Sequence, residues 1–152
     1  MLKNITILFF VSLFLNSCGY TPMFSSNNQI VFNFKEINVS GDNELGNLIK
    51  SNLKSYNNID AKNELILDVN VVYNKTSQTK DGTGKTTDYL LTADVQFIVK
   101  SDTNEKQISI SKDSVMKNLD KEFEEKKYER TIKQNFSYSI VNKLIMQLSK
   151  NK

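Results

Sequence analysis

The chain has 152 residues, a formal net charge of +3, no histidine, no tryptophan and a single cysteine. That length allows one domain able to bury a core, and the charge is too mild to point to nucleic acid. With no histidine and one cysteine, zinc- or iron-type metal sites, Cys/His nucleophilic pairs and Ser-His-Asp triads are excluded by inventory.

The first stretch is a leader. Lys3 precedes Ile5 to Leu15, which is apolar apart from Thr6 and Ser12. It has the length of a signal peptide and falls well short of the ~20 residues that span a bilayer. It ends in Leu15-Asn16-Ser17-Cys18, which resembles the lipobox at which bacteria attach diacylglycerol to a cysteine and cleave before it. The competing reading is an ordinary signal peptide leaving a free thiol; the position of the lone cysteine at the cleavage point favours lipid on Cys18. One acyl chain gives marginal membrane binding at about 0.8 kcal/mol per buried methylene, whereas two or three anchor stably. The chain divides into a signal peptide (1–17), a lipidated tether (18–28) and a domain (29–152). Gly19, where many inner-membrane lipoproteins carry aspartate, points by analogy to the outer membrane, with the domain on its periplasmic side.

The tether is polar after Thr21-Pro22-Met23-Phe24, and Pro22 keeps it from starting a helix. From Ile30 the pattern alternates. Ile30, Phe32 and Phe34 share one face, Ile37 and Val39 the other, and the phase change at Lys35-Glu36 predicts a bulge in a long first strand. Asp42 is the expected N-cap of a helix, with Glu44 in its first turn and Leu45, Leu48, Ile49, Leu53 and Tyr56 as its apolar stripe. Leu65 to Tyr73 and Tyr89 to Val99 alternate as two half-buried strands, and Lys106 to Met116 carries a less apolar, edge-type fourth strand. Asp120 to Ser149 is a second helix with Tyr128, Ile132, Phe136, Ile140, Leu144 and Leu148 in a row. The fold class is an α/β two-layer sandwich of order β-α-β-β-β-α. Its four-stranded sheet is mainly antiparallel or mixed, both helices lie on one face, and the opposite face is polar and open to contact. Four strands with two amphipathic helices cannot close a transmembrane barrel.

Asp81-Gly82-Thr83-Gly84-Lys85-Thr86-Thr87 resembles a phosphate-binding loop only superficially. The Walker pattern requires glycine where Thr79 stands and a helix afterwards, and here a strand follows, so nucleotide binding is rejected. Asn74 to Asp88 is then expected to be a flexible hairpin connection with solvated lysines. A sharper reading brings Lys75, Lys80 and Lys85 to phosphates of an anionic lipid. The charged run Lys121 to Lys127 reads as a solvated helix face.

Cys18-Gly19-Tyr20-Thr21-Pro22-Met23-Phe24 resembles the Cys-Gly-Phe-x-Pro-Leu-Tyr start of mature LptE, the lipopolysaccharide-assembly lipoprotein, in its alphaproteobacterial form. Ile37-Asn38-Val39 and Glu44 to Leu48 with Asn52-Leu53 look like that family's first strand and helix, and the element order agrees. The resemblance implies an acylated Cys18, no catalytic activity and no cofactor besides the covalent N-acyl, S-diacylglycerol lipid. It also implies partnership with the LptD β-barrel as plug and assembly aid, and with lipopolysaccharide during delivery. No ligand-binding residue carries over; Lys75, Lys80 and Lys85 rest on charge alone. The other reading is a stand-alone periplasmic-facing lipoprotein with an envelope-structural or protein-binding role. A hydrolase using carboxylates or serines ranks below both, because no carboxylate pair has an unusual setting.

Overall fold

A bulge decides how the first strand meets the core. β1 runs Asn33–Gly41, and its pairing with the next strand slips between Phe34 and Glu36. The extra residue resets the pleat, so Phe34 and Ile37 are both buried and Val39 packs on the same core. The opposite faces expected for Phe32/Phe34 and Ile37/Val39 are therefore one face. A computed structural model of the chain describes residues 32–61 and 64–150. The signal peptide, Cys18, the tether and Ile30 lie outside the described residues.

Gly41 and Asp42 turn the chain into α1, Asn43–Lys54. Gly41 has φ 92°, and a Cβ there would lie 1.9 Å from the Val71 carbonyl oxygen, so the site admits only glycine. The Asp42 Oδ1 accepts from the Leu45 amide at 2.8 Å, the expected N-cap. Leu45, Ile49 and Leu53 are fully buried, each contributing roughly 1.5–3 kcal/mol by burial. A helix this short is marginal alone, so α1 depends on the sheet beneath it.

The remaining strands are β2 (Glu64–Lys80), β3 (Thr86–Lys100) and β4 (Glu105–Lys117). β1 lies parallel to β2, β2 to β3 and β3 to β4 are antiparallel, and the sheet order is β1-β2-β3-β4. The sheet is thus mixed, with β4 on an edge as expected and β1 on the other. Period-two alternation sends Leu67, Val69, Val71, Leu91, Ala93, Val95, Phe97, Ile108 and Ile110 to one buried face. On the edge strand β4, Lys112 stands opposite Ala93 on that same inner side.

α2, Glu122–Ser149, lies on the same face as α1. Residues at four-residue spacing advance ~40° past a full turn at each step, so its buried stripe winds around the helix. Ile132, Phe136, Ile140 and Leu144 stay buried, but Tyr128 is 42% exposed and is not part of the core row. Asn52 Nδ2 donates to Ser137 Oγ at 2.6 Å and Tyr56 Oη donates to Asn142 Oδ1 at 2.7 Å, fixing the two helices side by side. Gly41→Ala should lower stability by about 2 kcal/mol or more through backbone strain and the clash with Val71, read as a drop of several degrees in thermal midpoint by circular dichroism.

Candidate functional site

The β2–β3 hairpin is an ordered structure, contrary to the flexible connection expected from Asn74 to Asp88. Pairing continues to Lys80 opposite Thr86, and only Asp81 to Lys85 turns. Polar side chains replace apolar ones as the cohesive element: Ser77 bonds Thr86 at 2.9 Å, and Thr79 bonds both Thr87, at 2.7 Å, and Asp88. At the tip the Asp81 Oδ1 accepts from the Thr83 amide, the Thr83 hydroxyl and the Lys85 amide, which hold its carboxyl below its ordinary pKa, the hydroxyl most strongly. The tip leads into a strand, as the argument against a nucleotide site requires.

The three candidate lysines do not form one patch. Lys75 points to the helix side, where its ammonium is 2.7 Å from Glu125 and 3.0 Å from Glu129 and lies 4.4 Å from the centroid of the Tyr89 ring. Partial burial works against its charge, but the hydrogen bonds and charges of the two glutamates outweigh it and raise its pKa. Glu125 is held below the usual carboxylate value, first by the hydrogen bond from Lys75. Glu129 also accepts from Tyr73 Oη at 2.9 Å, and burial followed by that bond pushes the phenol well up. Lys85 makes an exposed 3.1 Å pair with Asp120, and Lys80 is exposed at the tip.

A second charged clamp follows along α2. Lys133, only 7% exposed, reaches Glu44 at 2.9 Å and Asp42 at 3.7 Å, and lies 4.2 Å from the centroid of the Tyr73 ring. Together the two lysines dock the first half of α2 on the hairpin and on the start of α1, Lys75 ahead of its apolar stripe and Lys133 where that stripe begins. Sequence periodicity could not find Lys133, which stands beside Ile132 in an apolar row and whose partners lie far along the chain.

The outer sheet face is uncovered among the described residues. Cross-strand register aligns Ser40, Asn70, Gln96 and Ser109 in one row and Val72, Asp94 and Ser111 in the next. Two shallow depressions of about 360 and 320 Å³ adjoin at Asn70 and Gln96. The Ser111 hydroxyl donates to Asp94 at 2.5 Å, and Lys100 pairs with Asp68 at 2.6 Å. The chemistry offered is that of amides, hydroxyls and carboxylates, suited to polar contact over a broad area rather than to a deep ligand pocket. Among the described residues no helix is long and apolar enough to cross a membrane.

This arrangement defines a class of protein. The chain is similar to the crystal structure of rare lipoprotein B from Shewanella oneidensis, with a TM-score of 0.57 and 12% identity over 76% of this chain and 95% of that one. It is likewise similar to the solution structure of an uncharacterized lipoprotein B from Nitrosomonas europaea, with a TM-score of 0.51 and 15% identity over 78% and 84% of the two chains. No family model matches the sequence, and no curated protein matches it. The chain therefore shares the fold of these two lipoprotein B structures, in agreement with the element order on which the family resemblance partly rests.

The clamp sets a pH dependence. The contribution of Glu125, whose folded pKa is depressed, is complete above the unfolded value of about 4.3 and is lost as pH falls through the folded one. That of Lys75, whose folded pKa is raised, is complete below about 10.4 and is lost as pH rises through the folded value. Lys75→Met should cost roughly 1–2 kcal/mol at neutral pH, discounted for partial exposure, and weaken the acid dependence of urea midpoints; an unchanged profile would remove the clamp from the stability account.

Proposed function

We propose that this protein is an outer-membrane lipoprotein, carrying N-acyl and S-diacylglycerol groups on Cys18, that works without catalysis as plug and assembly partner of an LptD-type β-barrel and takes part in lipopolysaccharide delivery. The observation that carries this reading is the lipoprotein B fold following a leader that ends in a lipobox-like sequence. The lipid holds the domain on the periplasmic side of the membrane. The rigid two-layer body supplies shape, and the outer sheet face supplies polar side chains for a partner wall, which a wet interface accommodates well.

Of the three candidate lysines, Lys80 and Lys85 are the ones offered to a phosphorylated lipid: the charge of half-buried Lys75 is committed to Glu125 and Glu129, whereas the single pair of Lys85 with Asp120 is exposed and weak. Their place in the fold shapes that role. β2 starts beside Asn33 and ends at Lys80, and at ~3.3 Å per residue the tip stands roughly 50 Å from where the chain enters the domain. The tip lysines accordingly serve a ligand at the end of the domain opposite the chain entry.

Co-purification from detergent extracts tests the assignment: a stoichiometric large β-barrel is expected, and its absence favours the stand-alone lipoprotein. Cys18→Ala should abolish incorporation of labelled fatty acid and release the protein from the membrane. Lys80→Gln with Lys85→Gln should weaken lipopolysaccharide binding at low salt, whereas unchanged binding removes the tip and leaves the family reading standing.

A further inference from the structure

We propose that the helix side of the domain is a second membrane contact, one that lays the tethered domain against an anionic lipid surface. The first support is charge. From Leu45 on α1 through Asn58 beyond its end, and from Arg130 on α2 to Lys150 at its C-cap, the sequence contains no acidic residue. Exposed Lys54, Lys143 and Lys150 and half-buried Lys50 make this end of the helix layer cationic; exposed Arg130 is paired with Glu44 at 3.8 Å, and the acids of α2 lie in its first turns, away from this end. The outer sheet face has the opposite balance: the register places Asp68, Asp88, Asp94, Glu105 and Asp113 on it against Lys100 and Lys117. A body charged this way presents its helices to a negative surface and turns its sheet away, over distances set by a Debye length of about 8 Å at physiological salt.

The second support is apolar. Tyr138 is 59% exposed and Met146 57% exposed on the second half of α2, side chains suited to the headgroup boundary. The third is where the chain enters. The Phe32 amide bonds the Tyr56 carbonyl and the Asn58 amide bonds the Phe32 carbonyl, so the chain enters the domain just beyond the end of α1. Tyr56 bonds Asn142, which brings the second half of α2 to the same place. The stretch from Cys18 to Val31 reaches at most about 48 Å at ~3.4 Å per residue, ample for the domain to lie flat beside its anchor. The lipid contact belongs to the tethered protein before a barrel partner encloses it, and does not depend on that partner.

The chain has no tryptophan, so Tyr138→Trp and, on the sheet face, Val72→Trp each create a unique reporter. The chain beginning at Cys18, which retains every described residue, is coupled through that thiol to maleimide lipid, so the result is independent of native acylation. Vesicles are phosphatidylcholine alone or mixed with phosphatidylglycerol, each with brominated lipid as quencher. Several-fold stronger quenching is expected at Tyr138→Trp than at Val72→Trp in the anionic vesicles, lost in phosphatidylcholine alone and in high salt. Adding Lys50→Glu, Lys54→Glu and Lys143→Glu should abolish it. If circular dichroism shows that the triple variant does not fold, Lys143→Glu alone should weaken it. Equal quenching at the two reporters, stronger quenching at Val72→Trp, or quenching independent of lipid charge would overturn the proposal.

Discussion

One-sided burial of the sheet is the constraint on which the rest of the structure depends. The inner side chains of β2 and β3, Leu67 to Val71 and Leu91 to Val99, need apolar cover, and α1 and α2 both supply it from the same side. The other face is left uncovered among the described residues. The candidate surfaces follow from that asymmetry: the amide and hydroxyl rows outside, the lysine-bearing end of the helices opposite, and the hairpin projecting beyond the core.

Where apolar contact runs out, charge takes over. The buried stripe of α2 begins at Ile132, yet the helix starts at Glu122. Over the intervening turns Lys75 provides the adhesion, and Lys133 continues it where the stripe begins, each paired with two carboxylates and each close to an aromatic ring face. Such contacts are directional, so they set the position of the helix over the hairpin more sharply than apolar packing does. Among the described residues no fully buried side-chain polar atom lacks a partner.

Much of the architecture was legible because the two periods that report it, alternation in strands and the helical stripe, are strong in Leu65–Tyr73, Tyr89–Val99 and Leu45–Leu53. The Asp42 cap was legible for the same reason, being a local bond between adjacent residues. Three features were not. The bulge at Lys35 was visible as a phase change, but which faces it united depended on the partner strand. The hairpin from Thr76 to Thr87 has no apolar alternation, because threonine and serine hydroxyls hold it together, so it read as loop. Lys75 read as a free cation because Glu125 and Glu129, which neutralise it, lie 50 or more residues away. Cys18, on which the sequence reading leans most, lies outside the described residues.

The two edges of the sheet carry a further implication. β1 is kinked at Lys35, and β4 bears Lys112 on its inward side, devices that discourage a neighbouring strand from zipping on. On the proposed lipid anchor, copies of this chain would be confined to a plane and meet one another far more often than in bulk. Blunted margins of this kind oppose edge-to-edge pairing, which straighter, uncharged borders would favour under such crowding.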